Sequence, residues 1–288
     1  MKPGANINKT STTADQGKAE ADTRRSDYVR CTINTIALVT TLVVNAIAVL
    51  IPLNGKDTAQ IAHQFPVYFL PADYVFSIWG LIYACLIAFV VYQALPSHRH
   101  DPRLRRVGYL FALSCAVNSA WIFLWHYELF VPTLVVMLAL LALLIAIYLR
   151  LDINYSDRRM PAAQRLMVDL PFSLYLGWIS VATIANATDV LYYLRWDGWG
   201  LSAQAWTVVM LAAGALLAVA LGVTRADVVY MLVVVWAFVG ILVNQKDVWI
   251  VAVAAGVMAG LVVLVALVIV VFARRIKSRT RRRSGLTV

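Results

Sequence analysis

Aromatic and amide side chains recur at helical spacing inside three apolar segments of this 288-residue chain. Positions separated by three, four and seven residues lie on one face of an α-helix. A buried Trp needs a hydrogen-bond acceptor for its N–H, and a buried Asn needs partners for both the N–H and the oxygen of its amide. Such faces are typical of a small-molecule site with apolar walls and a few polar anchors, and flat rings suit a flat hydrophobic ligand. The candidate ligand-binding residues are Trp79, Tyr83, Asn118, Trp121, Trp125, Tyr175, Trp178, Ala182 and Asn186.

Each of these residues also has a purely structural interpretation. An Asn or a Trp in an apolar helix can bond across to a neighbouring helix and do no more than hold the bundle together. Taken singly, each residue favours that interpretation. The coincidence of three aromatic and polar faces shifts the balance towards a cavity, and both interpretations predict that the three segments are neighbours.

The sequence carries no recognisable catalytic apparatus. It lacks a P-loop, GxSxG, HExxH and CxxCH. The four histidines fall in loops or at a helix end, so two axial ligands for a haem inside the bundle are missing. No apolar segment contains a pair of acids for a proton relay. We therefore predict a protein that is not an enzyme, with no catalytic residues, no metal site and no required cofactor.

The candidate residues must be positioned by membrane-spanning helices. The chain is 61% hydrophobic and 14% charged, against about 45–50% and about 25% in soluble domains. The apolar runs are continuous rather than alternating, which favours helices over a barrel. We predict an all-α integral membrane protein with about eight spans: 32–53, 74–95, 107–126, 130–149, 166–188, 203–223, 228–243 and 248–273.

The distribution of cations predicts the orientation. With the N-terminus inside, 22 of the 25 Lys and Arg fall on cytoplasmic segments, and the exceptions are Lys56, Arg195 and Lys246. This split satisfies the positive-inside rule and places both termini in the cytoplasm. It also accounts for the net charge of +10 without a nucleic-acid partner. We expect a multi-pass protein of a bacterial plasma membrane.

Three segments resemble the TspO/MBR family of tryptophan-rich sensory and translocator proteins. Residues 74–92, YVFSIWGLIYACLIAFVVY, are similar to that family's second helix. Residues 118–125, NSAWIFLW, resemble part of its third helix. Residues 170–186, LPFSLYLGWISVATIAN, resemble its fifth-helix signature and carry the most specific match. The resemblance covers about residues 32–192.

The resemblance implies a five-helix bundle that binds porphyrins or other hydrophobic ligands in a pocket open towards the long first loop. A porphyrin or haem would then be a ligand rather than a required cofactor. Matching motif to motif, the positions that correspond to the family's pocket are Trp79, Tyr83, Asn118, Trp121, Trp178 and Ala182. These residues also belong to the aromatic and polar faces described above.

The chain is therefore predicted to have four parts. Residues 1–30 form a disordered cytoplasmic tail, 31–192 a TspO-like core, 203–273 a three-helix extension, and 274–288 a basic tail that contacts anionic lipid. Small-residue ridges in the extension favour packing within the bundle, and a homodimer stays open as the alternative. The favoured function is binding or sensing of a small hydrophobic ligand, with a role in signalling.

A permease for the same ligand is the rival hypothesis. Transporters of this size show internal repeats or broken helices in corresponding halves, and the sequence shows neither. An enzyme of porphyrin or lipid breakdown ranks lower still, because the acid–base set that such chemistry needs is missing.

Overall fold

The computed structural model describes the backbone of residues 7–51, 53–154 and 160–284, and the side chains of 22–51, 53–154 and 160–272. The described residues form a bundle of α-helices and contain no strand. The helices are α1 (Ile7–Leu50), α2 (Thr58–Ala62), α3 (Ile78–Ala94), α4 (Pro102–Val107), α5 (Leu110–His126), α6 (Phe130–Leu151), α7 (Ala162–Gln164), α8 (Leu170–Tyr193), α9 (Ala203–Arg225), α10 (Val228–Asn244) and α11 (Trp249–Ser284).

Six stretches of the described chain are helical, long and apolar enough to cross a membrane, and they contain α1, α3, α6, α8, α9 and α11. Two shorter apolar helices, α5 and α10, have 17 residues each. At 1.5 Å per residue they measure about 25 Å, slightly less than the ~30 Å hydrocarbon core of a bilayer. The all-α membrane fold is thus confirmed. That these two helices also cross, giving eight spans, stays a prediction.

Within the segment predicted to be a disordered tail, the backbone is helical from Ile7 and continuous with the first apolar span. Asp27, within that segment, is buried. It accepts hydrogen bonds from Arg105 Nε at 2.9 Å and forms an ion pair with His100 Nδ1 at 2.7 Å. These partners lie more than 70 residues away in sequence, so local composition did not reveal them.

Helix α11 likewise continues through the predicted basic tail as far as Ser284. The side chains of that tail, and residues 285–288, lie outside the described residues.

Helix α8 is the centre of the bundle. It packs against α6, α3 and α10, while α1 packs against α5 and α3. The extension joins the core through α10: a Cβ added at Gly177 of α8 would lie 3.0 Å from Val233 Cβ. Helices α9 and α11 then pack on α10. A Cβ added at Gly214 of α9 would lie 3.1 Å from the Phe238 ring, so this small residue packs within the bundle. A Cβ added at Gly260 of α11 would have no neighbour within 4 Å.

Candidate ligand-binding site

Four of the predicted residues form one aromatic cluster between α3 and α8. The rings of Trp79 and Tyr83 stack with centroids 5.3 Å apart and planes 24° from parallel. Trp79 also meets Tyr175 at 6.0 Å and Trp178 at 6.2 Å, both edge-to-face. Stacked and edge-to-face pairs are the arrangements that ring quadrupoles favour. The aromatic faces of the second and fifth predicted spans therefore meet, as their spacing predicted.

A chain of hydrogen bonds ties the third span to this cluster. Asn118 is buried, and its Nδ2 donates to Tyr175 Oη at 3.1 Å. Its Oδ1 accepts from Asn45 Nδ2 of α1 at 3.0 Å. Helices α1, α5 and α8 are thus joined through one buried amide. Asn45 was missed by the sequence analysis, although an Asn in an apolar span is itself a signal of a polar partner.

Three further predicted residues form a second group nearer the ends of α5 and α8. The rings of Trp121 and Trp125 stack at 5.2 Å. Trp121 Nε1 donates to Asn186 Oδ1 at 3.4 Å, and Asn186 Nδ2 donates to Thr133 Oγ1 of α6 at 2.9 Å. Trp125 Nε1 donates to the backbone oxygen of Thr58 in the first loop at 3.2 Å. Trp125 is therefore an anchor for that loop.

Eight of the nine predicted residues fall into these two groups or bond to them, and Ala182 is the ninth. Ala182 is half-buried and lies on α8 one turn from Trp178 and one turn from Asn186, so it connects the two groups. The rings and amides contact one another, and the four cavities described for the chain are lined by other residues. A ligand-binding role for the nine residues stays a prediction.

Two polar atoms of the aromatic cluster have no protein partner. Tyr83 Oη and Trp178 Nε1 are both buried and make no hydrogen bond. A buried polar group left without a partner costs about 1–3 kcal/mol, and most such groups in folded proteins are satisfied. Both atoms are hydroxyl or N–H donors, so an acceptor on a bound molecule would satisfy them.

The first loop, of which residues 53–77 are described without a gap, is folded onto one end of the bundle, which we call the loop face. Asp57 begins α2 with a capping box: its side chain accepts from Gln60 N at 2.8 Å, and its own N–H donates to Gln60 Oε1 at 2.9 Å. Ile61 and Phe65 are buried in a cluster with Trp125 and Val190. The loop therefore covers the ends of α5 and α8.

Charged and amide groups fasten the same loop to the turn between α5 and α6. Lys56 Nζ pairs with Glu128 Oε1 at 2.5 Å, and Gln64 Nε2 donates to the same oxygen at 3.3 Å. These hydrogen bonds hold the pKa of Glu128 below its ordinary value. Asn54 Nδ2 donates to the backbone oxygen of His126 at 3.1 Å.

Helix α10 of the extension holds the other end of the loop. The N–H of Ala72 donates to Gly240 O at 3.1 Å, and Asn244 Nδ2 donates to Leu70 O at 3.0 Å. Trp236 Nε1 donates to Val75 O at 3.1 Å. These contacts join residues 160 to 180 positions apart, so no local sequence pattern indicates them. They make the extension part of the structure that positions α3.

A second polar group missed from sequence lies at the opposite end of α10. Asp227 is fully buried, and its Oδ2 accepts from Tyr148 Oη at 2.8 Å and Ser173 Oγ at 2.7 Å. Its Oδ1 caps α10 by accepting from Tyr230 N at 3.0 Å. This carboxylate joins α6, α8 and α10, so it stabilises the contact between core and extension. Within the described residues, no group of three or more His, Cys, Asp or Glu is placed to hold a metal ion.

A family model described as "TSPO-like protein" matches residues 31–268. The match continues beyond residue 192, where the resemblance seen in the sequence stopped, and so includes α9, α10 and most of α11. No curated protein and no solved structure matches the chain significantly.

Proposed function

Because the chain belongs to the TSPO-like protein family, we propose that it is a membrane-embedded protein that binds and senses a small hydrophobic ligand, a porphyrin or related tetrapyrrole, without chemical turnover. The proposed site is the aromatic cluster between α3 and α8 together with the amides that face it. The observation that carries the proposal is the pair of buried donors without partners, Tyr83 Oη and Trp178 Nε1, inside a set of stacked rings.

The cluster suits a flat molecule with a few acceptors. Its walls are indole and phenol rings, which bind a flat apolar face well and add about 0.5–1.5 kcal/mol for each favourable ring pair beyond the area they bury. Its polar atoms are few, as in most small-molecule sites. The amide oxygen and nitrogen of Asn118 and of Asn186 already bond to other protein groups. These two residues therefore orient the aromatic side chains and are not free to bind a ligand.

A ligand that enters the aromatic cluster must separate side chains that are in contact in the unliganded protein. The Trp79 and Tyr83 rings lie 5.3 Å apart, which leaves no gap for another ring. We infer that the ligand displaces one of these side chains and that residues 54–73 of the first loop act as the lid. The bonds from α10 to residues 70–75 make the extension a support for that lid.

The test is a titration of the purified full chain in lipid nanodiscs with protoporphyrin IX, followed by Trp fluorescence and the Soret band. Trp178→Phe keeps an aromatic ring at this position but removes the N–H without a partner together with the rest of the pyrrole ring. We expect it to weaken binding several-fold, because it loses a hydrogen bond of ~1 kcal/mol and part of the ring wall, and to leave folding intact. Trp249→Phe is the matched control, because Trp249 is 73% exposed and distant in sequence from the cluster. Equal affinity in the two variants would contradict the proposal.

Transport of the same ligand is the alternative. Proteoliposomes loaded with a porphyrin-quenched dye distinguish the two functions: binding without flux supports sensing, whereas saturable flux that Trp178→Phe reduces supports a permease.

We further propose cytoplasmic termini and contact between the basic residues 274–283 and anionic lipid. These cations directly follow the last span, and each adds about 1 kcal/mol near an anionic surface. Co-sedimentation of the full chain in nanodiscs with and without phosphatidylglycerol, compared with a truncation after Arg275, measures that contact through its salt dependence.

A further inference from the structure

A cavity of about 290 Å³ opens at the loop face, between the first loop, the end of α8, the 196–201 turn and the start of α9. This volume lies at the lower end of the range for small-molecule sites. Tyr68, Tyr192, Trp196 and Trp206 contribute its aromatic walls. The cavity shares no residue with the aromatic cluster between α3 and α8, and four of its 14 lining residues belong to the extension: Ala203, Trp206, Thr207 and Met210.

The charge of this cavity has one sign. Asp197 is the only charged residue among those that line it, all of which are described, and its side chain is exposed. Arg195, two residues earlier, is not part of the lining. A carboxylate beside electron-rich ring faces repels anions and attracts cations, and rings attract most strongly a cation with a weakly held hydration shell.

The walls are fixed by bonds within the protein. Trp206 Nε1 donates to Gly198 O at 2.7 Å, and Gln204 Nε2 donates to Tyr68 Oη at 3.0 Å. Because these polar edges are already bonded, the indole of Trp206 has only its faces left to contribute. The Trp196 ring lies 4.9 Å from the Trp206 ring and tilts 55° to it, so the two rings form a corner.

The turn that carries the carboxylate has a constrained backbone. Trp199 adopts a φ of 51° and Gly198 a φ of +67°, the left-handed region that disfavours most side chains. A Cβ at Gly198 would lie 3.3 Å from the Trp206 ring, so a side chain at this position would crowd the ring. Backbone conformations of this kind persist where the surrounding structure fixes them, and they concentrate at ligand sites. Tryptophans that only anchor a protein at the membrane interface do not require such a backbone conformation.

We propose that this loop-face cage, formed by Tyr68, Tyr192, Trp196, Trp206 and Asp197, binds a quaternary ammonium group. The chemistry is shared by a free small cation such as choline and by the headgroup of a choline phospholipid. The proposal stands independently of the hydrophobic-ligand site.

The test uses the full chain in nanodiscs of phosphatidylethanolamine and phosphatidylglycerol, which contain no choline. Choline and its neutral isostere 3,3-dimethylbutanol are titrated in separate experiments and followed by Trp fluorescence and calorimetry. We expect saturable binding of choline that is at least tenfold tighter than binding of the neutral isostere. Asp197→Asn keeps the size of an exposed side chain, removes its charge, and should weaken choline binding several-fold. Trp249→Phe, which removes an exposed Trp elsewhere, should not.

Equal affinity for choline and the neutral alcohol, or no saturation by choline, would overturn the proposal. Trp206→Phe provides a second variant that retains a ring and should weaken choline binding less than Trp206→Leu. Repeating the choline titration in phosphatidylcholine nanodiscs shows whether the bound ammonium group belongs to a lipid headgroup or to the free cation. A reduced apparent affinity for free choline assigns the cage to the lipid headgroup, and an unchanged affinity assigns it to the free cation. Protoporphyrin binding by Asp197→Asn should equal that of the unmodified chain.

Discussion

Removal of the phenolic oxygen from Tyr175 should lower the free energy of unfolding, whereas its removal from the nearby Tyr83 should not. Tyr83 and Tyr175 both contact Trp79 in the aromatic cluster. Tyr83 Oη is buried and has no partner, whereas Tyr175 Oη accepts from Asn118 Nδ2 at 3.1 Å. Phe substitution deletes one oxygen atom in each case and leaves the ring.

The magnitudes follow from what each oxygen does. Tyr175→Phe removes an acceptor and leaves the buried amide of Asn118 without it, which costs about 1–3 kcal/mol in proteins generally. Hydrogen bonds between membrane helices average about 0.6 kcal/mol and reach about 1.7, so we expect a loss near 1 kcal/mol. Tyr83→Phe removes a buried polar atom that gains nothing in the unliganded protein. We expect the free energy of unfolding to stay unchanged or to rise by up to about 1 kcal/mol.

The assay is reversible unfolding of the two variants and the unmodified chain in mixed micelles, with helicity followed as the denaturing detergent is increased. Protoporphyrin affinity of the same samples provides the second measurement, and Tyr83→Phe should weaken it despite equal or greater stability. If Tyr83→Phe destabilises the protein as much as Tyr175→Phe does, the hydroxyl has a partner in the fold, and the argument from the unpartnered donor is refuted.

Three further predictions concern the extension, the lid and the topology. Gly240→Ala should destabilise the protein measurably, because the added Cβ would collide with Val75 and lie 3.0 Å from Pro71, whereas Gly260→Ala, with no neighbour within 4 Å, should be neutral in the same unfolding assay. The lowered pKa of Glu128 means that its contribution to the docked loop is complete above the ordinary Glu pKa of about 4.3. That contribution is lost as the pH falls through the lower folded value. Proteolysis of residues 54–64 should therefore increase on acidification, and in Glu128→Gln the increase should be absent. Reporter fusions after Asp197 and at Val288 should report opposite sides of the membrane; the same side for both would contradict the eight-span topology.

Much of the helical framework could be predicted because it depends on local patterns. Apolar runs fix the helices, and helical periodicity placed Trp79 on the face that meets Trp178. The predicted helix boundaries were less accurate at the two ends of the chain, because α1 and α11 continue into charged segments where hydropathy alone would end a helix. Asp27 shows why: its burial depends on Arg105 and His100, which only the folded chain brings near.

Contacts between core and extension could not be predicted for the same reason. Trp236 of α10 donates to Val75 O and meets the Tyr74 ring at 5.3 Å. Asp227 lies in the short connection between α9 and α10 and is fully buried among three donors. Neither residue belongs to a recognisable sequence motif. Both depend on which helices are neighbours, which periodicity within one helix does not specify.

We propose that a hydrophobic ligand binds among α3, α5 and α8 by displacing a side chain of the aromatic cluster, and added side-chain volume at that place tests this binding most directly. Ala182→Leu adds three carbons on the face of α8 between Trp178 and Asn186. Ala84→Leu, on the exposed side of α3 beside Tyr83, adds the same atoms towards the surroundings. The dissociation constant for protoporphyrin IX in nanodiscs should rise at least tenfold in Ala182→Leu, about 1.4 kcal/mol, and stay unchanged in Ala84→Leu. Equal constants for both variants and the unmodified chain would contradict the account.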